Sequence, residues 1–195
     1  MKKFFEYLIP TLLIAAAVLG LVFGAILIFW KAELLGRAQN SIPNLKSMEE
    51  FENVFNKVFD FPSPVGDEEA GRFTAARVLL LISQEGQPEA GSRIIVDYVD
   101  DHLQKENVRN VIASAQMRLV LWEVFRTNEN DFNMAEEGYL KALAVAPKLP
   151  VVLYNLLELY KSKGETAKME SVARRIVELW PNDSETKKLL SDFGQ

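Results

Sequence analysis

Tyr7 to Trp30 reads YLIPTLLIAAAVLGLVFGAILIFW, 24 residues without a charge. A helix of that length rises roughly 36 Å, enough for a hydrocarbon core of about 30 Å with some tilt. Tyr7 and Trp30 stand at its two ends, where amphipathic rings favour the headgroup level. Pro10 falls in its first turn, where a missing N–H costs little. Everything after Trp30 has the composition of a soluble protein. The chain therefore reads as a single membrane anchor carrying one soluble domain.

Met1-Lys2-Lys3 before an apolar run also describes a secretory signal peptide. The run is longer than the usual h-region, and the small-x-small triplet Gly36-Arg37-Ala38 lies well past Trp30 and contains an arginine. An uncleaved signal-anchor is the expectation. Lys2 and Lys3 flank one side and Lys31, Arg37 and Lys46 the other, so the positive-inside rule discriminates weakly. A short N-terminal tail with two lysines favours a cytoplasmic N-terminus and an extracytoplasmic C-terminal domain, as in a single-pass protein of the bacterial inner (cytoplasmic) membrane. Ala16, Gly20 and Gly24 recur every four residues, and small residues at that spacing let two helices approach closely. They are the candidates for transmembrane homo- or hetero-association.

Four basic and two acidic residues precede Lys46. Of the chain's 22 basic and 27 acidic residues, 18 and 25 then remain in 46–195, a balance of −7. An acidic domain without a basic stripe argues against binding nucleic acid or anionic lipid. There are no cysteines, which excludes disulfides, thiolate zinc sites and a cysteine nucleophile.

No stretch alternates with period two for long enough to read as a strand, and an all-α fold follows. Residues 1–40 form the anchor and a juxtamembrane helix. Residues 41–66 hold a capped helix and a Pro-rich loop: Ser47-Met48-Glu49-Glu50 is a capping box, and Met48, Phe51, Val54, Phe55, Val58 and Phe59 share one helical face. Residues 67–195 form the main helical domain. Asp67 is placed to cap its first helix, whose apolar face would be Phe73, Ala76, Leu80 and Leu81. The next helix follows Pro88 with Ile94, Ile95, Tyr98 and Val99. A longer helix spans about Asn107 to Arg126, and Thr127–Asp131 reads as a turn.

Ala135, Tyr139, Ala142 and Pro147 then begin a repeat, and Pro181 follows Pro147 by 34 residues. Between the prolines lie Leu153, Leu156, Tyr160, Gly164, Met169, Ala173 and Ile176. This pattern resembles the tetratricopeptide repeat, in which small residues let the second helix nest closely and proline closes the unit. The match covers roughly residues 116–181. It departs from the family pattern at Met169 and Ile176, which replace small residues, and in the turn after Leu119, Leu121, Trp122 and Phe125. The resemblance implies an antiparallel helical-hairpin solenoid whose terminal helix, Ser184 to Phe193, caps the array. It also implies a concave groove for a protein or peptide partner, with Val151, Tyr154, Asn155, Glu158 and Lys161 facing it. Asn155 falls where some family members bind a peptide backbone. The basic partners of a carboxylate clamp are not evident, so carboxylate capture is not expected.

A second segment, FENVFNKVFDFPSPVGDEEAGRF, resembles the C-terminal tail of some bacterial O-antigen ligase/polymerase-like membrane proteins. Those proteins have many spans, with their catalytic loops among them. On that resemblance the chain would be a detached tail module or a fragment, a single-span accessory of an envelope polysaccharide assembly complex.

The sequence contains no GxSxG, HExxH, P-loop or dinucleotide-binding glycine pattern. His102, the only histidine, follows Asp100-Asp101, with no motif placing a nucleophile beside it. Adjacent acids such as Glu136-Glu137 point to different parts of a helix surface. No catalytic residue, metal or cofactor is expected. The expected role is that of a membrane-anchored scaffold or adaptor that binds protein.

Overall fold

A computed structural model describes residues 2–193. It is all-helical, with 81% of the described residues in helix and no strand among them. The chain divides into two units, Met1–Gly71 and Arg72–Gln195.

In the first unit α1 (Lys2–Leu21) and α2 (Leu27–Ser41) are joined by a π-helical turn, Val22–Ile26, in which the Leu27 N–H reaches the Val22 carbonyl. Tyr7–Asn44 is long and apolar enough to cross a membrane. A 3₁₀ turn at Ile42–Asn44 ends the helix, with Pro43 in it. The Ser47 hydroxyl then accepts from the Glu50 N–H at 3.2 Å and caps α3 (Met48–Phe59). Glu50 completes the reciprocal arrangement one residue earlier than a standard capping box, accepting from the Lys46 N–H at 2.8 Å. α3 packs on α2 and buries Phe51, Phe55 and Val58. The rings of Phe51 and Phe55 stack at 4.5 Å.

α4 (Asp67–Ile82) begins with Asp67 as its first helical residue. The Asp67 carboxylate binds the Lys31 ammonium, a partner that the capping expectation did not foresee. The face of α4 also differs from expectation. Thr74, Ala75, Val78 and Ile82 are buried, while Phe73 and Leu80 are 51% and 62% exposed. In α5 (Glu89–Asp101) the buried stripe is Ser92, Val96, Val99 and Asp100, and Ile94 faces solvent. Asp100 takes a place in that stripe because it enters an ion network with Arg118 of α6 (Val108–Phe125), and of the expected apolar face only Val99 is fully buried.

α6 is the central helix of the second unit. Asn107 caps its start, accepting from the Arg109 N–H, and Arg126 ends it in the left-handed region at φ 52°. α7 (Glu129–Val145) starts just after Asn128, so the turn is shorter than predicted and Asp131 lies buried within the helix. α6, α7 and α8 (Pro150–Lys163) share a core of Ile112, Leu119, Phe132, Ala135, Tyr139, Leu156 and Leu159. Gly164, at φ 81°, ends α8 in a conformation that suits glycine, and the Glu165 N–H returns to the Tyr160 carbonyl at 2.9 Å. α9 (Thr166–Leu179) packs back on α8 through Ala173 and Ile176, and α10 (Ser184–Asp192) lies on α9. Leu189 and Leu190 close this second core cluster.

Candidate partner-binding groove

α8 uses two of its faces for packing. Val152, Leu156, Leu159 and Tyr160 join the core with α6 and α7, while Leu153 and Leu157 join the one with α9. The third face carries Val151, Tyr154, Glu158 and Lys161 at i, i+3, i+7 and i+10, one stripe of a helix. All four are exposed, Val151 to 42% and Tyr154 to 38%.

Tyr154, Leu157, Glu158 and Lys161 form one wall of a groove of about 340 Å³. Glu185, Lys188, Leu189 and Asp192 on α10 line the other. Three of the five expected groove residues thus meet at one depression. Val151 is exposed outside its lining. Asn155 is half-buried and turned toward α7, where its side chain approaches the Tyr139 hydroxyl. Neither Asn155 Nδ2 nor the Tyr139 hydroxyl has a partner that meets hydrogen-bond geometry. Burial pushes the Tyr139 phenol far above its ordinary range.

Local contacts fix the groove walls. The Tyr154 ring stacks on Trp180 with centroids 6.1 Å apart, and its hydroxyl donates to Asp183. Asp183 caps α10 through the Thr186 N–H at 3.0 Å. That backbone bond, with the Tyr154 hydroxyl second, holds the Asp183 carboxyl below its usual range. Donation to Asp183 in turn pushes the Tyr154 phenol up to about 12. Lys161 pairs with Glu158 at 3.3 Å. On α6, partial desolvation and then the Glu158 charge raise the Glu123 carboxyl. The groove is therefore rimmed by both signs of charge around Tyr154, Leu157 and Leu189.

Sequence reasoning treated α10 only as a cap and missed its wall. Glu185, Lys188 and Asp192 repeat the i, i+3, i+7 spacing of Val151, Tyr154 and Glu158, a signal present in the chain. His102 ends α5, with Nδ1 2.8 Å from the Tyr98 carbonyl oxygen and its ring 4.4 Å from that of Tyr98. Ala16, Gly20 and Gly24 are exposed, and nothing lies within 4 Å of a Cβ added at either glycine. Among the described residues no three His, Asp or Glu side chains are grouped to hold a metal ion. Comparison with protein-family models, curated proteins and solved structures found no significant match.

Proposed function

We propose that the chain is a single-pass membrane adaptor whose C-terminal helices form a tetratricopeptide-like array and bind a protein or peptide. The observation that carries this reading is that the exposed Tyr154, Glu158 and Lys161 of α8 face α10 across a groove of about 340 Å³. The 34-residue step from Pro147 to Pro181 and the buried small residues Ala135, Ala142 and Ala173 support the repeat assignment. A helix over residues 7–30 would tether the groove at a membrane face, so that even a weak site acts at high effective concentration. Lys2 and Lys3 favour a cytoplasmic N-terminus with the helical array outside the cytoplasm of a bacterial cell. In this reading the protein carries out no catalysis and takes no cofactor.

A photoreactive residue at Tyr154 or Lys161 tests the groove in cells. The expected result is one adduct of defined mass that is absent when the residue is placed at Ser171 on α9 and is lost with Leu189→Arg. Equal trapping at Ser171, or none at any position, removes the groove reading.

A further inference from the structure

Lys31 follows Trp30 directly, at the end of the apolar span, yet it is only 3% exposed. A lysine at that position ordinarily extends its ammonium toward the headgroups and water. Here Nζ instead donates to the Phe61 carbonyl at 3.3 Å and pairs with Asp67. Gly66 lies against the stem of the same side chain, so close that a Cβ there would meet Lys31 Cδ at 3.5 Å. Both ends of the loop between α3 and α4 are thereby pinned to the residue that leaves the span.

The lengths of the two helices explain this return. From Lys31 to Ser41 α2 climbs about 15 Å, and α3, joined to it by a short turn, descends about 16 Å from Met48 to Phe59. The chain comes back to the level from which it left. The segment that arrives there is Phe61-Pro62-Ser63-Pro64-Val65-Gly66, which has no charge. Pro62, Pro64 and Val65 are exposed, Val65 to 53%, as are Phe29 and Trp30 of the span. The prolines restrict the loop and present no N–H groups that would need water. The acid that closes the loop, Asp67, has its charge compensated by Lys31.

From this geometry we infer that the Phe61–Gly66 loop is a second membrane contact, seated in the interfacial layer beside Trp30 with Val65 directed into lipid. The inference rests on the reading of residues 7–30 as a membrane span. Its surface is continuous with that span, and its occupant is the headgroup–acyl boundary of the bilayer. A chain held at both Trp30 and Val65 cannot swivel freely about a single tether, so the contact would set the tilt of α2 and α3 on the membrane.

The absence of cysteine permits single-cysteine labelling of the full chain. A nitrobenzoxadiazole label is placed at Val65, at Leu19 within the span, or at Glu49 at the start of α3. Each protein is reconstituted into phosphatidylcholine–phosphatidylglycerol vesicles that contain nitroxide lipids of shallow or deep position. The expected result is a blue-shifted Val65 label quenched most by shallow nitroxide, a Leu19 label quenched by deep nitroxide, and a Glu49 label that is unaffected. If Leu19 is quenched while Val65 behaves like Glu49, the loop lies in water and the inference fails, while the span stands. If Leu19 is not quenched, the span reading fails and takes the loop contact with it. In the Val65→Cys background, Lys31→Met is expected to abolish shallow quenching. Quenching that persists would show that Lys31 does not hold the loop at the membrane.

Discussion

Gly138 lets α7 lie close against Ala115 and Val111 of α6. A Cβ at that position would lie 2.9 Å from the Ala115 Cβ, inside van der Waals contact, and neither methyl has a torsion that relieves the overlap. Gly138→Ala is expected to destabilise the fold by ~1–3 kcal/mol in denaturant unfolding of the full chain in detergent, despite its gain in helix propensity. Ala115→Gly added to Gly138→Ala should recover part of the loss, since the two methyls compete for one space. Additive losses would place the strain elsewhere. Asp183 makes a different residue-scale case. Its folded pKa lies below the ordinary aspartate value of 3.8, so its contribution is complete above that pH and is lost as pH falls toward the folded value. Asp183→Ala should therefore lower stability at pH 7 by about 1 kcal/mol, the usual effect of losing an N-cap, and the gap to wild type should narrow below pH 3.8. A gap independent of pH would mean that the carboxylate charge has no part in it. Tyr154 titrates in the opposite sense. Its raised phenol favours folding below its ordinary value of 10.0, and that contribution is lost as pH rises toward about 12.

Between elements, the main polar tie is Arg118, buried on α6. It reaches Asp97 at 2.6 Å and Asp100 at 3.5 Å on α5, and Asp131 at 3.5 Å on α7. Asp131 also binds Arg93, and Asp100 binds Lys105 at 3.0 Å and Ser114, so each buried carboxylate has a partner besides Arg118. Removing the arginine would still leave a buried charge deficit among α5, α6 and α7. Arg118→Met is expected to cost about 3 kcal/mol, the lower end for breaking a buried pair, because those partners remain. The denaturation midpoint reads this out, and an unchanged midpoint would mean that Met packing offsets the lost charges. This network also explains what was legible in the sequence. Helix ends were readable wherever a side chain or a glycine terminates the helix locally, as at Ser47, Asn107 and Gly164. The faces of α3 and α8 were readable because their buried positions are apolar, and that of α7 was readable except at the buried Asp131. The faces of α4 and α5 were not: Thr74, Ser92 and Asp100 are buried, and Asp100 is held there by Ser114 and Arg118, 14 and 18 residues along the chain, too far for periodicity to register. Lys31 and Asp67 escaped for the same reason, being 36 residues apart.

At the scale of the whole molecule, the proposed function gives the apolar helix over residues 7–30 two distinguishable uses, as a tether alone or also as a docking element. Val151, Tyr154, Asn155, Glu158 and Lys161 were groove candidates through the resemblance to the tetratricopeptide repeat, and of these Tyr154, Glu158 and Lys161 line one groove. What occupies the groove was not legible, since no side chain in it has a chemistry that selects one ligand. The Ala16, Gly20 and Gly24 face offers the competing use, because small residues there would let a second transmembrane helix pack closely. The two roles separate when residues 7–30 are exchanged for an unrelated apolar helix of equal length, leaving Lys31 and everything after it intact. A tethered adaptor should keep its photo-adduct at Tyr154, because the groove and its effective concentration are unchanged. A subunit held in a larger membrane complex through the small-residue face should lose the adduct after the exchange and also with Gly20→Leu and Gly24→Leu together. Since Gly20 and Gly24 have open space around them, the leucine pair leaves the rest of the fold untouched. An adduct that survives the exchange assigns the specificity to α8 and α10, whereas one lost to both changes moves it into the membrane.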